Sequence, residues 1–180
     1  MRTFRVDGIV IKRQNIGEAD RILTVLTKEF GKIQVKAKGV RKITSKRASH
    51  IEPLNICSLS LYKGQNMPIL TECVSLENFS ELKEDLSKIG FAYHLCELVD
   101  GLCPANEENK EIFFLLVDVL KKMKTEVFVS NLIYNFEMDL LVQLGYWSIS
   151  NKLQKVNTSY LIEGILERRL KTKQLIARLA

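Results

Sequence analysis

Only two histidines, His50 and His94, occur in the chain, and they lie far apart in sequence. Neither stands in a metal-ligand pattern such as His-Glu-x-x-His. The four cysteines, Cys57, Cys73, Cys96 and Cys103, include no Cys-x-x-Cys pair, which excludes a zinc ribbon and a dithiol redox motif. A chain of 180 residues that is 46% hydrophobic can bury a core without disulfides, so buried, reduced thiols are expected. Gly17, Gly31 and Gly39 build neither a Gly-x-x-x-x-Gly-Lys-Ser/Thr loop nor a Gly-x-Gly-x-x-Gly turn, so a bound nucleotide would find no phosphate cradle. Ser45-Lys46 matches only part of a Ser–Lys dyad, and a Lys inside a run of cations lacks the buried setting that such a base needs. The acid pairs Glu84/Asp85 and Glu107/Glu108 open helical patterns, where the helix dipole already accounts for them. No apolar run approaches the roughly 20 residues of a membrane span, and the first residues lack the apolar stretch and cleavage site of a secretory leader. The expectation is a soluble, cytoplasmic protein without cofactor, metal or catalytic machinery.

Charge of one sign is abundant, and it is segregated. Residues 1–50 carry 13 Lys and Arg against 4 Asp and Glu, residues 51–147 carry 7 against 15, and residues 148–180 carry 7 against 2. The ends are therefore +9 and +5 around a middle of −8. Such a division directs the two ends toward anionic partners.

The first part reads as strands. Phe4–Arg13 and Asp20–Thr27 are rich in β-branched residues and are separated by a turn containing Asn15 and Gly17. In the third, Ile33, Val35 and Ala37 alternate with Lys32, Gln34, Lys36 and Lys38. Alternate side chains of a strand point to opposite faces, so one face packs inward and the other presents cations about 6.6 Å apart. "ICSLSLYKG" and "PILTECVSL" supply two more strands. Five short strands in the first 75 or so residues suggest a small antiparallel barrel, with the OB-fold the commonest candidate.

The remainder reads as helices. Ser80 is placed as an N-cap before Leu82, Leu86, Ile89, Tyr93 and Cys96, which recur at helical spacing. "GLCPAN" breaks that pattern. Asn106, Glu107 and Glu108 open a second helix that ends in Lys121, Lys122 and Lys124. A third runs from Val129 to Leu144, with Gly145 as its C′ residue. A last basic helix spans Tyr160–Leu179. The class is thus α+β with two domains: a five-stranded OB-fold barrel over 1–78, then an all-α helical bundle over 79–180.

The densest basic stretch is "AKGVRKITSKR", where Lys36, Lys38, Arg41, Lys42, Lys46 and Arg47 follow one another without an acid. A solvated loop is one reading. A membrane patch is disfavoured, because the segment alternates as a strand instead of forming a basic amphipathic helix. A nucleic-acid backbone is the third: cations on one strand and its following loop neutralise phosphates and release counterions, and OB barrels present such a groove to single strands. Phe4, Phe30 and Tyr62 are the only aromatics in the first 75 residues. That scarcity favours a backbone grip with little sequence preference, open to duplex as well as single strand.

The run "GIVIKRQNIGEADRILTVLTKEFGKIQVKAKGVRKITSKR" resembles the opening of the RecO recombination-mediator proteins. A strand ending in a basic residue is followed by Gly17-Glu18-Ala19-Asp20, then by Thr27-Lys28-Glu29-Phe30-Gly31, then by Ala37 to Arg47. "LVQLGYWSIS" and "LERRLKTKQLI" resemble later family segments. The resemblance implies an N-terminal OB-fold, a helical C-terminal domain, binding of single- and double-stranded DNA, and annealing of complementary strands. It further implies action with RecR and contact with the acidic tail of single-strand-binding protein to help load the RecA recombinase. At matching positions the expected DNA contacts are Arg13, Arg21, Lys36, Lys38, Arg41, Lys42, Lys46 and Arg47, with Ser45 bonding a phosphate and Gly39 allowing the bend between strand and loop. Many members carry a cysteine zinc finger after "LGY". Here Trp147-Ser148 follow and no cysteine lies beyond Cys103, so no zinc is expected. Arg168, Arg169, Lys171, Lys173 and Arg178 are read either as a dock for an acidic peptide or as a solvated basic helix end. An RNA-binding OB accessory factor and a protein-binding scaffold are the alternatives.

Overall fold

A computed structural model describes residues 2–151 and 156–179. Five strands, β1 (Thr3–Ile16), β2 (Asp20–Thr27), β3 (Gly31–Ala37), β4 (Ile56–Tyr62) and β5 (Ile69–Glu77), close into a barrel in the order β1-β2-β3-β5-β4. Neighbours are antiparallel except β3 and β5, which run parallel and pair only at Lys36 and Ile69. The sequence reading of a purely antiparallel barrel is corrected there. Strand direction alternates along the chain, so the third and fifth strands point the same way, and closing the barrel brings them together. The alternation read in β3 holds: Ile33, Val35 and Ala37 are buried, while Gln34 and Lys38 are exposed and Lys32 and Lys36 half-buried. The inward residues join Val6, Val10, Leu23, Val25, Leu59, Leu61 and Leu70 in one core. Each such side chain taken from water contributes about 1.5–3 kcal/mol.

β1 extends three residues beyond the expected Arg13. Ile16 pairs with Asp20 across a Gly17-Glu18-Ala19 turn, and a register shift between Val10 and Lys12 marks where the strand leaves the barrel wall. Polar Gln14 and Asn15 hid this extension, because a hairpin arm with both faces in water shows no apolar alternation.

Gly31 in the β2–β3 turn has φ of +63°, and a Cβ there would lie 1.7 Å from the Glu107 carbonyl oxygen. The segment containing Glu107 lies against β3, with the Asn106 amide donating to the Lys32 carbonyl at 2.8 Å. Gly31→Ala is therefore expected to lower barrel stability by about 2 kcal/mol or more, from left-handed strain and collision with main chain. Urea unfolding of the variant checks this, with an unchanged midpoint as the contrary outcome.

The chain divides into two compact units: the described residues of 1–79 with 104–113, and those of 80–103 with 114–180. In place of one helix capped by Ser80 there are two, α1 (Ser80–Glu84) and α2 (Leu86–Leu102). The Asp85 carboxylate caps α2, accepting from the Ser87 and Lys88 amides at 3.0 Å each. An Asp caps better than it continues a helix, and this one competed successfully with the Leu82–Leu86 periodicity. α3 (Lys110–Thr125) starts later than expected, because the Asn109 side chain accepts from the Ile112 amide at 3.0 Å and acts as the cap. α4 (Ser130–Gln143) ends as expected, with Gly145 at φ of +77°. The predicted last helix is two, α5 (Thr158–Leu166) and α6 (Lys171–Leu179), broken at Glu167 with φ of +52°.

α2 is buried on most sides through Ala92, Leu95, Cys96, Leu98 and Val99. It also carries the polar centre of the helical unit. His94 is buried, its ring nitrogens meeting Thr172 Oγ1 at 2.9 Å and Glu137 Oε1 at 2.8 Å. Thr158 Oγ1 donates to the same Glu137 carboxylate. All four cysteines are buried. Burial, with Asp100 nearby, pushes the Cys96 thiol up to about 12. Among the described residues no helix is long and apolar enough to cross a membrane.

Candidate nucleic-acid interface

The segment after β3 folds as consecutive turns. The Lys42 amide bonds the Gly39 carbonyl at 3.2 Å, the Ser45 amide bonds Lys42 at 2.9 Å, and the His50 amide bonds Arg47 at 3.2 Å. Val40, Ile51 and Leu54 are fully buried and pin the loop to the barrel. Gly39, at φ of +66°, makes the bend anticipated for it.

Asp20, which opens β2, organises the loop. Its Oδ1 accepts from the Gly39 amide at 2.8 Å, and Oδ2 lies 3.4 Å from Lys36 Nζ. The Gly39 hydrogen bond, aided by Lys36 and Lys38, holds this carboxyl below its ordinary range. The Arg41 amide donates to the Ala19 carbonyl at 3.0 Å and its guanidinium to the Gly17 carbonyl at 2.9 Å. The Gly-Glu-Ala-Asp turn and the basic loop are thus one assembly. No sequence argument assigned Asp20 this task. Its place at the end of the Gly-Glu-Ala-Asp turn was the available signal.

The expected site residues fall into two groups. Arg47 reaches inward, donating to the Leu70 carbonyl at 2.8 Å and to the Lys38 carbonyl at 2.9 Å, so it braces the loop against β5. Arg13 pairs with Glu52, and Arg21 lies 3.7 Å from the same carboxylate while bonding the Asn15 side chain at 3.2 Å. Glu52 went unnoticed because it sits 31 residues from Arg21 in sequence. By contrast Lys38, Lys42, Ser45 and Lys46 border a concavity of about 680 Å³ together with Asp20, Gly39 and Arg47. Lys38, Lys42 and Lys46 are exposed. The Ser45 hydroxyl is buried at the oxygen and has no hydrogen-bond partner. A buried hydroxyl without a partner costs free energy unless something supplies one. With Lys38, Lys42 and Lys46 exposed on the same concavity, an anion is its chemically matched occupant.

In the helical unit Arg168 is engaged with Glu97 at 2.7 Å, whereas Arg169, Lys171, Lys173 and Arg178 are exposed.

A family model described as Recombination protein O N terminal matches residues 1–79, and one described as Recombination protein O C terminal matches residues 83–148. The chain belongs to the RecO family. Similar proteins include the DNA repair protein RecO of Roseiflexus sp. (strain RS-1), 39% identical over 145 residues, a match covering 81% of this chain and 51% of that protein. The DNA repair protein RecO of Pelotomaculum thermopropionicum is 35% identical over 146 residues, covering 81% of this chain and 57% of that one. That of Heliobacterium modesticaldum is 37% identical over 147 residues, covering 81% and 53%. The chain therefore spans about half the length of these RecO relatives. The loop and its Asp20 brace both lie inside the first RecO family match.

Proposed function

We propose that this protein grips the phosphate backbone of single- and double-stranded DNA at the basic loop, anneals complementary strands and serves recombinational DNA repair without catalysis. The observation that carries the reading is the concavity bordered by Lys38, Lys42, Lys46 and Ser45, whose buried hydroxyl has no partner. Lys38, Lys42 and Lys46 would meet phosphates directly, and Ser45 would donate to a phosphate oxygen. Lys36 and Arg41 add positive potential from the adjoining strand and turn. Arg13, Arg21 and Arg47 contribute charge while holding the surface in shape.

The chemistry follows from that assignment. Two complementary strands repel through their phosphates. Cations that take up part of both charges, and release condensed counterions in doing so, let the bases approach and pair. Contacts confined to the backbone carry no sequence preference, which suits a protein acting on any pair of strands. No nucleotide hydrolysis is required.

Within the same reading the division into 1–78 and 79–180 separates tasks. The barrel holds DNA, and the helical part offers Arg169, Lys171, Lys173 and Arg178 to the acidic tail of single-strand-binding protein. RecR is the working partner, RecA is loaded as the outcome, and the place of action is the cytoplasm and nucleoid. Annealing of two labelled complementary oligonucleotides by the full chain, without nucleotide, tests the core of this proposal. Acceleration over the uncatalysed pairing supports it, and an unaccelerated rate at saturating protein contradicts it. Running DNA and RNA strands side by side separates it from an RNA-binding role.

A further inference from the structure

The barrel has a second concavity, beyond the start of β3. Phe4 at the beginning of β1, Phe30 in the β2–β3 turn, and Met67 and Pro68 between β4 and β5 line an apolar groove of about 510 Å³, with Lys63 and Asn66 alongside. The two rings meet edge to face, their centroids 5.7 Å apart. Phe4 packs on the barrel core, but Phe30 keeps 48% of its surface exposed. The turn does not need that ring. Thr27 Oγ1 accepts from the Phe30 amide at 3.0 Å and donates to the Gly31 carbonyl at 2.8 Å, closing the turn through main chain and threonine.

The groove adjoins β3 at Ile33, and the other face of that strand carries the cations. The Lys36 amide donates to the Pro68 carbonyl at 2.9 Å, and the Lys32 carbonyl accepts from the Asn106 amide, Asn106 also lining the groove. From Gly31 to Ala37 the strand covers about 20 Å, at roughly 3.3 Å per residue. That distance suits a few extended nucleotides and falls within the footprint of roughly 4–16 that one OB barrel covers. A polyanion with a flat apolar face at every repeat is the ligand that uses both features at once. Its phosphates meet Lys32, Lys36 and Lys38, and one base meets the ring.

We propose that this groove receives an unstacked base of a single strand whose phosphates follow β3, with the Phe30 ring as the stacking surface. The inference rests on the phosphate-grip reading above and adds a preference to it. A duplex keeps its bases paired and has no free face to offer, so the groove favours single strands.

The test measures full-chain affinity for a labelled oligothymidylate and for a hairpin duplex with the same number of phosphates. Phe30→Ala removes the ring. Phe30→Leu keeps apolar contact with Phe4, and Phe30→Trp keeps a stacking face. The Ala and Leu variants are expected to bind the single strand about tenfold more weakly, duplex affinity staying within about twofold and the Trp variant matching the parent. Unchanged single-strand affinity in the Ala and Leu variants, or an equal loss on duplex, overturns the inference and leaves the groove to an apolar peptide. If the parent protein binds neither DNA, the phosphate grip fails with it; intact duplex binding alongside Phe30-independent single-strand binding sinks only the groove.

Discussion

Lys38→Glu/Lys42→Glu/Lys46→Glu folds normally, yet its affinity for single-stranded DNA falls by on the order of a hundredfold or more at low salt, and strand annealing is lost. The fold survives because all three side chains are exposed, and Gly39, Asp20 and Arg47 hold the loop through contacts that the substitutions leave alone. Binding fails because three phosphate partners vanish and three repulsive charges replace them. Arg47→Ala is the informative control. It removes a brace that bonds the Leu70 and Lys38 carbonyls, so it loosens the loop and lowers the unfolding midpoint, whereas the triple variant leaves that midpoint in place. Circular dichroism melts beside fluorescence anisotropy titrations separate the two. A triple variant that unfolds, or that anneals as before, contradicts the assignment.

The second large effect is expected at Glu97, within the helical unit. Its carboxylate accepts from Arg168 Nη1 at 2.7 Å, from the Lys171 and Thr172 amides at 3.0 and 2.9 Å, and from Thr172 Oγ1 at 2.6 Å. One side chain of α2 therefore caps the start of α6, and 12% of that side chain is exposed. Burial alone would raise the Glu97 pKa, but the bonds from Thr172, Arg168 and Lys171 outweigh it and lower the carboxyl from 4.5 to about 2. Glu97→Ala is expected to destabilise the protein by about 2–4 kcal/mol, since several charge-assisted bonds and a helix cap disappear together. Arg168 adds little to that figure, because its side chain is 40% exposed and water screens it.

The pH dependence has a definite sign. In the folded protein Glu97 binds its proton more weakly than in the unfolded chain. The stabilisation is complete above pH 4.5 and drains away as the pH falls toward about 2. Denaturant midpoints taken from pH 6 down to pH 2 should fall in the parent protein and fall less steeply in Glu97→Gln. Parallel curves contradict the assignment.

Much of the barrel was legible because period-2 alternation is a direct consequence of a strand with one wet face. β2 carries its turn residues at both ends, and β3 carries both its buried and its basic faces in plain view. What escaped depends on partners distant in sequence or on competition between local signals. The polar arm of β1 has no inward face to reveal it. Asp85 and Asn109 displaced the expected helix starts, because a side-chain oxygen aimed at free amides outcompetes one more turn of apolar periodicity. The break at Glu167 is followed by a helix whose start Glu97 receives from 74 and 75 residues away.

The site was legible as a composition and only partly as a geometry. The run from Lys36 to Arg47 marked out the candidate surface. It did not reveal that Arg47 turns inward, that Glu52 engages Arg13 and Arg21, or that Asp20 positions the loop. Those assignments need the barrel closed, because each joins residues separated by tens of positions. Phe30 was counted among scarce aromatics, and only the structure places it beside Phe4 and Pro68.

The salt dependence of single-strand binding tests the central claim most directly. With about six phosphate contacts, log K for a labelled oligonucleotide should fall against log salt with a slope near −4 in the parent protein, and near −2 once Lys38, Lys42 and Lys46 are replaced. A slope near zero in the parent protein would contradict the phosphate grip.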